Sequence, residues 1–190
     1  ISTPSIGLAG TGNGNISSFT AVNNTTAPVT ATITVTPSYT NGSTCGGTPL
    51  TFKITVNPTP VLTSSLTPSA ICNNTAFNYS PTSATARVTF GWSRTAVPGI
   101  SNAAATGTGN PNETLINTTP NPISVVYVYT LMLSDGSCPN TQNVTVVVNP
   151  TPTLTSTLTP ADVCSNSLFT YTPTSLTSGA TFGWSRAAFA

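Results

Sequence analysis

Apolar and polar residues alternate with period two in a series of short stretches, the pattern of half-buried β-strands. In 32–36 and 51–56 the alternation puts Ile33 and Val35, then Phe52, Ile54 and Val56, on one face, with Thr and Lys53 on the other. The same rhythm predicts strands over 59–67, 76–80, 88–93, 113–117, 124–133 and 143–148, and a minor strand fits between 93 and 113. Pro and Gly punctuate the gaps, at Pro68, Pro81, Pro98-Gly99, Gly107, Gly109, Pro120, Pro122 and Asp135-Gly136. β-branched Thr, Val and Ile fill the strands, whereas the helix formers Glu, Lys and Gln are scarce. The expected fold is all-β, an antiparallel sandwich of short strands.

The pattern recurs. Residues 57–97 and 149–189 align without a gap, 92 residues apart (Asn57 to Asn149), with about 60% identity. The fixed points are Cys72/Cys164, Phe77/Phe169, Tyr79/Tyr171, Phe90/Phe182, Trp92/Trp184 and Arg94/Arg186. More loosely, G-T-G-N at 10–13 matches 107–110, Pro28 matches Pro122, Cys45 matches Cys138, and 56–58 matches 148–150. The expected organisation is therefore tandem sandwiches with a period of about 92 residues. Residues 1–56 are the C-terminal half of one repeat, 59–148 a complete repeat, and 151–190 the N-terminal half of the next. Each half lacks the strands that would bury its apolar face. One complete central sandwich with an incomplete one at each end is the expectation, the back half of one copy completing the front half of the copy before it, either along one long polypeptide or between strand-sharing subunits.

Composition sharpens this. Charged residues make up 4% of the chain, with a net charge of +1, against roughly 25% in ordinary soluble domains. A surface so poor in charge tends to associate unless something else hydrates it, which points to self-assembly, covalent glycans, or both. Four Lys and Arg cannot form a phosphate-binding patch, so no nucleic-acid partner is expected. The most apolar run, 123–133, is about half the length of a membrane-spanning helix, so membrane insertion is not expected either.

Little here could do chemistry. There is no His, and Glu113, Asp135 and Asp162 are not paired with one another in sequence, so no catalytic residues, cofactor or metal site are expected. Asp135-Gly136 reads as a turn. Trp92, Trp184, Tyr127 and Tyr129 read as core, with sugar stacking as the alternative. Arg94 and Arg186 read as local pairing or stacking on an aromatic ring, with ligand contact as the alternative. Asn-x-Ser/Thr triplets begin at Asn15, Asn23, Asn24, Asn41, Asn73, Asn78, Asn112, Asn117 and Asn143, which are the glycosylation candidates.

The motif string itself is distinctive: N-P-T-P opening a repeat, I/V-C, F-x-Y-x-P-T-S, T-F-x-W-S-R, G-I-S-N…A-T-G-T-G-N and a closing Q-N-V-T-V-V-V-N-P. It resembles the PKD-like, immunoglobulin-like tandem repeats of Bacteroidota cell-surface and secreted proteins, over essentially the whole chain. The resemblance implies an extracellular or cell-surface β-sandwich repeat, often exported by the type IX route, with no catalytic residues to transfer. In such a topology Cys72 and Cys164 lie at one end of a repeat and Cys45 and Cys138 at the other. Disulfides across repeat junctions, a Cys72–Cys138 bond within one repeat, and free thiols all stay open. The N-P-T-P linkers, with two prolines in four residues, favour a stiff extended connection, and a rise of about 40 Å per repeat follows from strand length. The function expected is a structural repeat of an extracellular filament or stalk whose partner is itself, head to tail. An adhesin or glycan-binding module of a large surface protein is the alternative.

Overall fold

A computed structural model describes residues 5–188. Ile1–Pro4 and Phe189–Ala190, at the outer ends of the 1–56 and 151–190 segments, lie outside the described residues. The described residues form eleven strands, β1 (Val29–Val35), β2 (Ser38–Asn41), β3 (Ser43–Gly46), β4 (Leu50–Val56), β5 (Ile71–Cys72), β6 (Thr75–Phe77), β7 (Val88–Arg94), β8 (Ala105–Thr108), β9 (Glu113–Leu115), β10 (Ile123–Leu133) and β11 (Asn140–Asn149). No helix occurs among the described residues. Two compact units result, one built from 5–64, 81–91 and 130–142, the other from 65–80, 92–129 and 143–188.

In the first unit, β1 and β4 pair antiparallel, with Ala31 opposite Ile54 and Ile33 opposite Phe52. Beyond them β2 and β3 form a hairpin about Gly42, whose φ of 74° suits the turn. Pro37 separates β1 from β2; it has no N–H to donate to a ladder, though its carbonyl still accepts from Gly47 at 2.8 Å. The Asn57–Pro60 linker also belongs here. Pro58 and Pro60 are fully buried. Asn140 Nδ2 donates to the Pro60 carbonyl at 2.9 Å, and Gln142 Oε1 accepts from the Leu62 N–H.

The second unit carries the central core. A five-stranded sheet runs in the order β5-β11-β10-β7-β8, and β6 pairs with β9 in a separate two-stranded sheet. The run β11-β10-β7-β8 is the order of one sheet of a variable-type immunoglobulin sandwich. The alternation predicted over 124–133 and 143–148 holds: Val125, Tyr127, Tyr129, Val144, Val146 and Val148 are wholly buried while their neighbours face outward. Tyr127 meets Phe77 at 5.0 Å and the Trp92 edge at 5.5 Å between ring centroids, and Tyr129 meets Tyr79 at 5.3 Å. Each such aromatic pair contributes about 1 kcal/mol beyond the area it buries. Gly107 lies beneath the Trp92 indole, where a Cβ would sit 2.6 Å from the ring.

Three expectations need correction. The sandwich is not antiparallel throughout, because β5 pairs parallel to β11. Residues 59–67 form no strand. Pro60 and Pro68 supply no N–H, and the polar groups between them bond singly: Leu62 to a side chain, Thr63 N–H to the Thr82 carbonyl, and the Leu66 carbonyl to Thr145 N–H. Residues 151–188, which match strand-bearing sequence, hold no strand either. The minor strand expected between 93 and 113 is β8.

Candidate functional site

Two features of the second unit bear on function, a buried polar cluster and an uncovered apolar face. The cluster begins at Arg94, the last residue of β7, whose side chain has no solvent exposure. Its Nε and Nη2 donate to the two Glu113 carboxylate oxygens at 2.9 and 2.8 Å, a bidentate ion pair. Nη2 also donates to the Ala103 carbonyl at 2.7 Å, and the guanidinium lies 6.0 Å from the Tyr127 ring centroid. Tyr127 Oη donates to Glu113 Oε2 at 2.8 Å.

Hydrogen bonding from Arg94 holds the Glu113 carboxyl below its ordinary range, against the opposing effect of burial. Arg94 is raised mainly by the same bond. Burial is the first cause of the upward shift of both Tyr127 and Tyr129. Glu113 thus holds a buried cation and a buried phenol, with Oε2 accepting from both Arg94 and Tyr127 and Oε1 from Arg94. Of the other carboxylates weighed for acid–base chemistry, Asp135 accepts from Ser137 N–H and Oγ inside a turn, which lowers its pKa. No group of three His, Cys, Asp or Glu side chains able to hold a metal occurs among the described residues.

The uncovered face lies 92 residues on from the core aromatics. It is lined by Leu154, Leu158, Phe169, Tyr171, Phe182 and Trp184, among others. Local bonds of the central stretch reappear there. Thr63 N–H donates to the Thr82 carbonyl at 2.8 Å, and Thr155 N–H to the Thr174 carbonyl at 2.8 Å. The hydroxyl pairs Thr63–Thr82 and Thr155–Thr174 are both 2.9 Å. Arg94 Nη1 donates to the next carbonyl, and so does Arg186 Nη1. Cover is what differs. Trp92 is 7% exposed and Phe77 2%, whereas Trp184 is 91% exposed and Phe169 55%.

Cys45, Cys72, Cys138 and Cys164 each carry a free thiol here, half-buried at Cys138 and exposed at the other three. Cys72 sits on β5 opposite Asn149 at the start of the second linker. Cys138, with φ of 52°, lies in the β10–β11 turn. Of the glycosylation candidates, Asn15, Asn24, Asn41, Asn78, Asn112 and Asn143 are exposed, whereas Asn117 is 5% exposed. Asn117 Nδ2 donates to the Asn121 and Val148 carbonyls at 2.7 and 2.9 Å, and its Oδ1 accepts from Thr119 N–H and Oγ1. Asn23 makes the same set of bonds to Ala27, Val56 and Thr25. Asn73 is also engaged, accepting from Asn117 N–H and donating to Thr151 Oγ1. These amides act as struts. A sequence cue existed, since Asn followed two residues later by Thr is a turn-forming pair as well as a glycan acceptor.

No curated protein sequence matches the chain. Residues 69–152 match the family model of the PKD-like domain. That stretch begins after the strandless 59–67 segment and contains β5 through β11, and its similarity to the PKD-like domain fits an immunoglobulin-like β-sandwich there.

Proposed function

We propose that the chain is a structural repeat of an extracellular filament or stalk. Its sandwiches follow one another with a period of about 92 residues, joined head to tail by stiff N-P-T-P linkers and carrying covalent glycans. A PKD-like module is compatible with a structural or adhesive role outside the cell. The observation that carries the reading is the locked linker: Pro58 and Pro60 are buried, and the backbone at its C-terminal end is held by Asn140 on the Pro60 carbonyl and Gln142 on the Leu62 N–H. A loose tether would let neighbouring modules swing; a tether packed into the fold transmits orientation from one module to the next. The division into 1–56, 59–148 and 151–190 belongs to this reading.

The second reading, an adhesin or glycan-binding module, draws on the exposed Phe169, Tyr171, Phe182 and Trp184. Their counterparts Phe77, Tyr79 and Trp92 are core, which favours uncovered core over a sugar platform. Immunogold electron microscopy of producing cells with an antibody to this chain tests the proposal. Label along continuous surface fibres is expected, and label confined to discrete particles would overturn it.

A further inference from the structure

The uncovered face and the β1–β4 sheet are the two halves of one packing problem that β10 and β11 solve in the central stretch. There, alternate residues of β10 (Val125, Tyr127, Tyr129) and β11 (Val144, Val146, Val148) seal the aromatic face and are wholly buried. By the matches Pro28/Pro122 and Val56/Val148, the corresponding residues of β1 are Ala31, Ile33 and Val35, and those of β4 are Phe52, Ile54 and Val56. This face is also uncovered, with Val35 51% and Phe52 45% exposed in the chain. The Asn23 strut ties the stretch before β1 to the end of β4, as the Asn117 strut ties the stretch before β10 to the end of β11. The pair is therefore built as a ready-made cover.

We infer that the β1–β4 sheet of a second copy of this chain docks on the face formed by Leu154, Phe169, Tyr171, Phe182 and Trp184, in the place that β10 and β11 take over Phe77, Tyr79 and Trp92. Residues 5–188 of each copy offer one covering sheet and one uncovered face. Such a contact is heterologous, and repeated use of it gives an open series. The partner supplies Ile33 and Val35 where the central core has Tyr127 and Tyr129, and Phe52 where it has Val144, so lost volume on one strand is partly restored on the other. Residues 1–56 contain no acidic side chain, and Phe19 stands at the position of Glu113. The joint therefore does without a copy of the buried ion pair. Its Arg186 can keep its head in water while the stem packs.

This inference deepens the filament reading and rests on it. If native fibres form but the purified chain never associates, the inference fails and the filament reading stands; association in solution without native fibres does the reverse. The test is sedimentation of the whole unmodified chain across a concentration series. Wild type is expected to form a ladder of oligomers. Phe52→Asp and Trp184→Asp are each expected to raise the dissociation constant at least about tenfold, to monomer. Mixed together, the two variants should give a dimer and nothing larger, because each retains one competent surface.

Both substitutions sit on exposed positions, and an unchanged near-ultraviolet signal from the central aromatics verifies folding. Phe19→Glu with Ile33→Tyr, which restores the Glu113 and Tyr127 counterparts, should tighten association by about fivefold or more. A wild-type chain that stays monomeric overturns the inference. So does a closed dimer indifferent to Phe52→Asp, or Trp184 fluorescence that responds to oligosaccharides while no association occurs.

Discussion

Glu113→Gln probes the physical basis of the central fold most sharply. The substitution keeps the side-chain shape and removes the charge. Arg94 would then be buried, with 0% side-chain exposure, beside an amide whose NH2 group opposes its own N–H donors. Removing one partner of a buried pair typically costs 3–5 kcal/mol. Glu113 retains 18% exposure, which lets water reach the site, so about 3 kcal/mol is expected. For a domain near 90 residues that lowers the Tm by about 15 °C. Arg94→Met alone should cost about 2 kcal/mol, because the remaining carboxylate can reach solvent or take up a proton. The double substitution, Arg94→Met with Glu113→Gln, should cost well under the roughly 5 kcal/mol sum of the two single changes, since the second change no longer breaks an ion pair and the new amide can still accept from Tyr127. The assay is urea unfolding of the full chain followed by Trp92 fluorescence, with Trp184 replaced by Phe. A coupling energy below about 0.5 kcal/mol in this cycle would refute the reasoning.

Three further outcomes follow. The depressed Glu113 carboxyl contributes stability that is present above the unfolded value of about 4.3 and lost as pH falls through its folded value. The raised Tyr127 and Tyr129 contribute stability that is present below about 10 and lost as pH rises past it; in an absorbance titration part of the phenolate signal should appear only with loss of the strand circular dichroism. Asn117→Ala, which removes two amide bonds in a 5% exposed site, should cost about 2–3 kcal/mol in urea unfolding, whereas Asn24→Ala on the exposed surface should stay within about 0.5 kcal/mol. Intact-mass measurement of native material should exceed 19.3 kDa per chain by the mass of attached sugar; the bare mass would contradict the glycan expectation.

The long alternating strands were legible because burial of one sheet face imposes period two on the residues. β1, β4, β7, β10 and β11 were found that way. Residues 59–67 alternate too, but alternation records which side chains are buried, and prolines at 58, 60 and 68 interrupt the donors a ladder needs. The β2–β3 hairpin carried a cue in Asn41-Gly42, with no apolar face to draw attention to it. Arg94 stood out through its match with Arg186. Its partner did not, because Glu113 aligns with Phe19, and a pair with one unmatched member leaves no trace in a repeat comparison. In sequence Asn23 and Asn117 read first as sugar acceptors, and the Asn-x-Thr spacing adds only a local turn cue. Their role as struts depends on carbonyls 33 and 31 residues away, a separation that local sequence does not encode.

The arrangement proposed for this chain is a continuous head-to-tail series of sandwiches outside the cell. Cryo-electron microscopy of fibres from the surface of producing cells tests it most directly. The expected image is a fibre with an axial repeat of about 40 Å per sandwich, each sandwich placing the indole of Trp92 or Trp184 under the cover of a β10–β11 or β1–β4 type sheet. Isolated particles without an axial repeat, with the Trp184 face bare to solvent, would contradict it.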